Sequence, residues 1–203
     1  MNKLFRQIIS AFIIVTVLFL INSTVYADYY EYVRKYTIQI NQNPNDSVAY
    51  YNRGTAYAKL EQFELAIRDY DMAIAINPYY TIAYHNRGVA YGNLGQHYLA
   101  IQDFYMAIEL NPDFYIAYNS LGGAYSHLEK YNLAIQAFNK AIELNSNYAT
   151  SYYNRGNIYA ILKQYKQAIQ DFNKAIELDF YLAYENRELT VKELISSILR
   201  KYR

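Results

Sequence analysis

Cysteine and tryptophan are missing from this chain of 203 residues, and histidine occurs only three times. Without cysteine the chain forms no disulfide, holds no metal through thiolates and carries no lipid on an N-terminal cysteine. His85, His97 and His127 are far apart in the sequence, which contains neither an HExxH motif nor a glycine-rich phosphate loop. We therefore expect no enzyme and no cofactor; a metal site at His85 and His127 is the weaker alternative.

An excess of either charge is also missing. The chain has 19 basic and 18 acidic residues, which leaves a formal net charge of +1. Proteins that bind nucleic acids or anionic membrane surfaces usually carry a strongly basic surface. The composition therefore excludes nucleic acid as the expected partner.

Long apolar runs are absent except near the N-terminus. Lys3 and Arg6 precede an apolar run from Ile8 to Ile21, and Val25 and Ala27 follow it. This order is typical of a secretory signal peptide, which we predict over residues 1–27 with cleavage after Ala27. The alternative is an uncleaved membrane anchor, although this run is shorter than the roughly 20 residues that span a bilayer. In either case we expect the rest of the chain outside the cytoplasm, periplasmic or secreted.

Glycine is scarce, yet four of the seven glycines are spaced one period of 34 residues apart. Rings and alanines around these glycines keep the same interval. The repeated positions are Gly54, Gly88, Gly122 and Gly156; Tyr50, Tyr84, Tyr118 and Tyr152; Tyr57, Tyr91, Tyr125 and Tyr159; Ala66, Ala100, Ala134 and Ala168; Tyr70, Phe104, Phe138 and Phe172; and Ala73, Ala107, Ala141 and Ala175. The chain is therefore built from tandem copies of one structural repeat.

Each repeat is predicted to form two amphipathic helices, the first over about 47–60 and the second over about 63–76, because large and small residues recur at spacings of three and four. A glycine inside a helix costs about 0.5–1 kcal/mol relative to alanine, so four glycines at matched positions need a packing reason. We expect Gly54 and Ala66 to let the backbones of the two helices approach closely.

This motif resembles the tetratricopeptide repeat. The pattern Y-x2-R-G-x2-Y, then A-x3-Y, then P between residues 50 and 78 follows the family's W-x2-L-G-x2-Y, A-x3-F and P at a period of 34. The resemblance implies an all-α fold, a right-handed α-solenoid of tandem helix-turn-helix repeats. The predicted parts are a signal peptide over 1–27, an N-terminal degenerate half-repeat over 28–46, repeats over 47–80, 81–114, 115–148 and 149–182, and a C-terminal capping helix over 183–203.

Arginine replaces the family's leucine before glycine in three repeats, at Arg53, Arg87 and Arg155, whereas Leu121 keeps it. We expect each arginine to lay its stem over a neighbouring ring and to bring its charge out to water. The aspartates of the second helices are expected on a solvated outer face. These are Asp69, Asp71, Asp103 and Asp171.

The final helix is expected to cover the last repeat. Glu188 stands where glycine stood in the earlier repeats. The residues predicted to pack against the repeat are Tyr184, Val191, Leu194, Ile195 and Ile198. Such a cap protects the open end of a stack of repeats.

In the family, the first helices of successive repeats line a concave face that usually contacts an extended peptide. The residues that the resemblance assigns to peptide binding on this face are Tyr51, Asn52, Thr55, His85, Asn86, Asn119, Ser120, Tyr153, Asn154, Asn157 and Asn186. Lys59 is the single basic residue among the positions of this face. The face therefore does not resemble the basic clamp of chaperone-binding members.

Four of these asparagines recur in one register, at Asn52, Asn86, Asn154 and Asn186, and Ser120 interrupts the series. They resemble the asparagine ladder of the O-linked N-acetylglucosamine transferase. A carboxamide both donates and accepts, so it can pair with a peptide backbone whatever the side chains. The alternative is that these asparagines bond to neighbouring helices or to water.

The sequence thus predicts a non-enzymatic protein-protein interaction scaffold or adaptor outside the cytoplasm, with a protein or peptide partner in the concave groove. Two alternatives stay open. One is a self-associating structural module; the other is a membrane-tethered accessory subunit of an enzyme or envelope complex.

Overall fold

The computed structural model describes residues 26–201, and this part of the chain contains helices and no strand. Helix α1 covers residues 26–42. The helices that follow are α2 (Ser47–Lys59), α3 (Phe63–Ile76), α4 (Thr81–Asn93), α5 (His97–Leu110), α6 (Tyr115–His127), α7 (Tyr131–Leu144), α8 (Ala149–Ile161), α9 (Tyr165–Glu177) and α10 (Ala183–Lys201). The predicted signal peptide lies outside the described residues, apart from Tyr26 and Ala27.

The predicted class is confirmed: the fold is an all-α solenoid of consecutive helix pairs. The chain divides into two compact units, and the boundary between them lies in α4, between Ala83 and Tyr84. Across residues 26–201, no helix has the length and apolarity needed to cross a membrane.

A left-handed residue links the two helices of each repeat. Glu61, Gly95, Glu129 and Lys163 all have positive φ, between 55° and 73°, and each takes the same position in its own repeat. This conformation ends the first helix and turns the chain into the second, as at many helix C-termini. The turn geometry therefore repeats with the same period as the sequence.

The first compact unit contains α1, α2 and α3. Asp46 caps the start of α2, because its side chain accepts hydrogen bonds from the backbone amides of Val48 and Ala49 at 3.0 and 2.9 Å. A Cβ placed on Gly54 would lie 3.1 Å from the carbonyl oxygen of Ala66 and 3.0 Å from the ring of Tyr70. The predicted close approach of the two helices is confirmed here.

In the second compact unit the matched glycines have the same role against phenylalanine rings. A Cβ on Gly122 would lie 2.6 Å from the ring of Phe138, and one on Gly156 would lie 2.8 Å from that of Phe172. Phe138, Phe172 and the repeated alanines of the second helices are fully buried. The core is thus made of rings seated against glycine and alanine.

The expectation that the arginine charges reach water is wrong. Arg53 donates from Nε and Nη2 to the carboxylate of Asp69, with both distances at 2.7 Å, and Arg87 and Arg155 make the same two bonds to their aspartates. The expectation of solvated aspartates is wrong for Asp69, Asp103 and Asp171, which are only 5%, 4% and 6% exposed. Asp71 is exposed, as expected.

The guanidinium groups also lie over tyrosine rings. The Cζ of Arg53 is 5.6 Å from the ring centre of Tyr50 and 6.0 Å from that of Tyr57. These contacts and the bidentate ion pair hold the charge between two rings of the first helix and one carboxylate of the second. The hydrogen bond with Asp69 is the largest cause of the raised pKa of Arg53.

The predicted packing stripe of α10 is wrong by about a quarter of a turn for four of its five residues, whereas Leu194 is half-buried as expected. Tyr184, Val191, Ile195 and Ile198 are 42%, 36%, 51% and 46% exposed. The inward side is instead made of Ala183, Asn186, Thr190, Leu194 and Ser197, which are buried or half-buried. Most of these residues are small or polar. A prediction based on apolar residues alone therefore chose the neighbouring side of the helix.

Candidate functional site

Two of the predicted site tyrosines are packed between helices. The ring of Tyr51 lies 5.9 and 5.0 Å from the rings of Tyr70 and Tyr80. In the second compact unit Tyr153 lies 6.1 and 4.8 Å from Phe172 and Phe180. These side chains form the floor of the first-helix face and are half-buried.

His85 occupies the same position in the second repeat. It is 9% exposed and its ring lies 5.7 and 5.2 Å from those of Phe104 and Phe114. Its ring nitrogens pair with Asn86 Oδ1 at 3.1 Å and Ser120 Oγ at 3.0 Å. Burial is the largest cause that lowers its pKa, so the ring is neutral at neutral pH.

The asparagines of the later repeats are bonded to each other. Asn119 Oδ1 accepts from Ser151 Oγ at 3.0 Å and from Asn154 Nδ2 at 3.2 Å. Asn186 Nδ2 donates to Asn157 Oδ1 at 2.7 Å and to the hydroxyl of Tyr153 at 3.2 Å. Asn154 and Asn186 thus make the interhelical bonds that the sequence left open as the alternative to ligand binding. Their role in peptide binding stays a prediction.

Asn52 and Thr55 have a different setting in the first compact unit. They line a cavity of about 270 Å³ together with Ala56 and three rings of α1, those of Tyr29, Tyr32 and Tyr36. Thr55 donates to the carbonyl oxygen of Tyr51 at 2.9 Å, whereas no hydrogen bond of the Asn52 carboxamide is found within the described residues. An amide beside aromatic rings suits a peptide backbone with an apolar side chain.

A second cavity, of about 260 Å³, lies in the second compact unit and is lined by α4, α5 and α6. Ser120 is at its wall, together with other positions of the first helices. These are Val89, Gly92, Asn93, Gly123, Ala124 and His127. A Cβ on Gly92 or Gly123 would meet nothing within 4 Å, so these two glycines widen the cavity and do not serve helix packing.

His97 and His127 meet at this cavity. Their rings are stacked, with centres 4.7 Å apart and planes within 4° of parallel. The Nδ1 atom of His97 is buried and has no hydrogen-bond partner within the described residues. Burial first, and then the neighbouring His127, lower the pKa of His97.

Sequence reasoning missed His97 as a site residue. It begins the second helix of one repeat while His127 ends the first helix of the next, so their distance along the chain hides a direct contact. Across residues 26–201 no group of three or more histidine, aspartate or glutamate side chains is placed to hold a metal ion.

A further cavity lies away from the predicted face. It has about 610 Å³ and lies between the start of α9 and the last turns of α10. Its wall carries both charges, with Lys163, Lys166 and Arg200 as the basic residues and Glu193 as the acidic one. We therefore place candidate sites at the two smaller cavities, each of which is lined by predicted residues of its own compact unit.

Tandem helix pairs with cavities along the first helices are typical of the α-helical repeat proteins that act as interaction scaffolds. The sequence profile described as Tetratricopeptide repeat matches residues 47–80, 81–114, 115–148 and 149–180. The chain belongs to the tetratricopeptide repeat family.

Solved structures agree in fold. A MamA fragment from Desulfovibrio magneticus RS-1 is 24% identical, with a TM-score of 0.69 over 74% of this chain and 85% of that one. YrrB, titled as a TPR protein with an unusual peptide-binding site, is 24% identical with a TM-score of 0.64 over 78% and 82%. The first TPR domain of Spaghetti (RPAP3), bound to the HSP90 peptide SRMEEVD, is 26% identical with a TM-score of 0.56 over 57% and 92%. No curated protein sequence matches the chain.

Proposed function

We propose that this protein is an extracytoplasmic interaction scaffold that binds an extended segment of a partner protein along the first helices of its repeats. The observation that carries the proposal is the cavity lined by α4, α5 and α6, because glycines without a packing role open it and a stacked histidine pair lies at its wall. The peptide-bound structure of Spaghetti and the peptide-binding site named for YrrB support it as relatives of the same fold.

The chemistry of the face favours a neutral or weakly polar segment. The polar groups at the two cavities include the imidazoles of His97 and His127, the hydroxyl of Ser120, which also pairs with His85, and the carboxamide of Asn52. Lys59 is the single basic residue among the predicted positions. The HSP90 peptide carries two glutamates and one aspartate. We therefore expect this chain to bind neutral segments in preference to that acidic peptide, which serves as a negative control.

Gly123→Leu tests the groove without disturbing the fold. Because nothing lies within 4 Å of a Cβ at this position, the leucine side chain enters the cavity and not the core. A peptide is first selected on the wild-type chain from a phage-displayed library of unstructured segments. Gly123→Leu should then weaken its binding by at least about tenfold, equivalent to about 1.4 kcal/mol, in a calorimetric titration.

Leu133→Ala is the matched control. Leu133 is exposed on α7, which is the second helix of its repeat and lines neither cavity. Shortening this side chain should therefore leave binding unchanged. Helical circular dichroism should be retained in both variants, and the melting temperature of Gly123→Leu should not fall below that of the wild type. Equal affinities of wild type and Gly123→Leu for the selected peptide would contradict binding in this cavity.

The extracytoplasmic part of the proposal has a separate test. Expression in a secreting host followed by N-terminal sequencing should yield a mature protein that begins at Asp28, because Val25 and Ala27 place small residues before that bond. A protein recovered outside the cytoplasm with Met1 retained would instead indicate an uncleaved anchor. Recovery only from the cytoplasm would contradict the proposed location.

A further inference from the structure

Two stacked histidines form part of the wall of the cavity lined by α4, α5 and α6. His97 begins α5 and is half-buried, whereas His127 ends α6 and is exposed. Their ring centres are 4.7 Å apart. Two positive charges at this distance would repel each other, so the pair accepts one proton more readily than two.

The rest of this cavity wall is uncharged. Within the described residues, the two histidines are the only ionisable side chains that line the cavity. Arg87 of α4 is bonded to Asp103 of α5. In the turn after α6, Glu129 is exposed and the ammonium group of Lys130 lies 5.1 Å from the ring centre of Tyr98. A proton on the histidine pair would therefore change the cavity wall from uncharged to cationic.

A third histidine approaches the same wall from α4. His85 is 9% exposed and pairs with Ser120, whose side chain lines the cavity. Burial lowers the pKa of His85, so its own protonation needs a more acidic solution than that of an ordinary imidazole. Any dependence of binding on pH must therefore be assigned either to the stacked pair or to His85.

The protonation state of the pair decides which partner side chain suits the cavity. A neutral pair beside Val89, Ala100 and Phe104 suits an uncharged side chain, and a carboxylate placed there would have no cation to bind. An imidazolium, in contrast, donates charge-assisted hydrogen bonds to a carboxylate and is costly to cover with apolar atoms.

We propose that the stacked pair of His97 and His127 makes this cavity select its partner side chain according to pH, an uncharged one in neutral solution and a carboxylate in mildly acidic solution. The inference rests on the proposed function, because it concerns the same cavity. Burial and then the neighbouring His127 lower the pKa of His97. His127 is the exposed ring of the pair and can meet both solvent and ligand.

Peptide variants at one position test the proposal, starting from the peptide selected on the wild-type chain. An alanine scan identifies the peptide residue that enters the cavity, because its truncation should weaken binding to the wild type and have little effect on Gly123→Leu. Glutamine and glutamate are then placed at that position, since they match in size and differ in charge. Calorimetric titrations are run at about pH 7.5 and at about pH 5.5, where glutamate is ionised and an ordinary imidazole is mostly protonated.

The ratio of the glutamate affinity to the glutamine affinity should rise at least about threefold at the lower pH, as expected for one partly exposed ion pair. A smaller rise would overturn the proposal.

The matched variants take their residues from other repeats of the chain. Asn93 stands one period before His127, and Tyr131 stands one period after His97. In His97→Tyr combined with His127→Asn, the affinity ratio should not rise at the lower pH. His127→Asn alone should remove most of the rise, and it replaces the double variant if that one loses its helical circular dichroism. A rise that persists without the pair would assign the effect to His85 and overturn the proposal.

The outcomes also separate this inference from the proposed function. If no selected peptide binds the wild type in neutral solution, both are contradicted. If the glutamine peptide binds the wild type and Gly123→Leu weakens it, but the affinity ratio stays constant on acidification, only this inference fails. The histidine ring signals in proton NMR give a reading without ligand, and a pair with neither ring protonated at about pH 5.5 would also overturn it.

Discussion

Asp103→Ala should lower the free energy of unfolding by about 3 kcal/mol, whereas Arg87→Leu combined with Asp103→Ala should lower it by less than about 1 kcal/mol. The single change leaves the Arg87 guanidinium without its carboxylate in a mostly desolvated place. The double change removes both charges together. Breaking a buried pair is costly, but replacing it with apolar groups of suitable size is often nearly neutral.

The geometry of this pair explains the size of the effect. Arg87 Nε and Nη2 donate to Asp103 at 2.8 and 2.6 Å, and the two side chains are 18% and 5% exposed. The guanidinium lies 5.5 and 6.0 Å from the ring centres of Tyr84 and Tyr91. Without Asp103 the cation keeps its ring contacts but loses both charge-assisted hydrogen bonds.

The chain contains the double change in its third repeat. Leu121 and Ala137 occupy the arginine and aspartate positions there, and they are 4% and 6% exposed. The same backbone therefore accepts an apolar pair at these two positions. This natural replacement is the reason to expect the double variant to fold with nearly wild-type stability.

Urea unfolding at neutral pH, followed by circular dichroism, measures the three variants: the single changes Asp103→Ala and Arg87→Leu, and the double change. Glu143→Ala is the control, because it removes an exposed pair with Lys140 that should leave the midpoint unchanged. If the double variant loses as much stability as Asp103→Ala, the pair has a role that apolar packing cannot replace.

The ion pairs show where sequence reasoning stopped. Glycine, alanine and ring positions could be predicted because their sizes repeat along single helices at spacings of three and four. Arg53 and Asp69 lie on different helices, so no periodicity within a helix connects them. The signal that was missed is that the two positions change together. The one complete repeat without the arginine is also the one without the aspartate, and it has Leu121 and Ala137 there.

The sequence predicted which positions lie on the first-helix face, but not which of their side chains are open to a ligand. The first-helix face was identified, and Asn52 and Ser120 do line cavities. Whether a side chain at such a position is open depends on the next helix, which cannot be read from the repeat. His85 is covered by Phe104 and Phe114, while His97 contributes from a second helix through a contact that spans two repeats.

Gly122→Leu should lower the free energy of unfolding by about 3 kcal/mol through overpacking. A Cβ at this position would already lie 2.6, 2.7 and 2.9 Å from three atoms of the Phe138 ring. That ring is 1% exposed and is enclosed by the rest of the core, so it cannot swing aside without opening a void. The two helices must separate, and the contacts along both of them weaken together.

The neighbouring residue provides the control, because Gly123 shares the helix and the propensity of Gly122 but not its surroundings. Gly123→Leu meets nothing within 4 Å, so loss of a helical glycine should raise stability by about 0.5–1 kcal/mol. Gly122→Leu combined with Phe138→Ala should recover part of the loss, since the smaller side chain vacates the place of the ring. Melting temperatures of the three variants separate the two effects. Equal melting temperatures for Gly122→Leu and Gly123→Leu would contradict the close approach of the helices as the reason for the regularly spaced glycines.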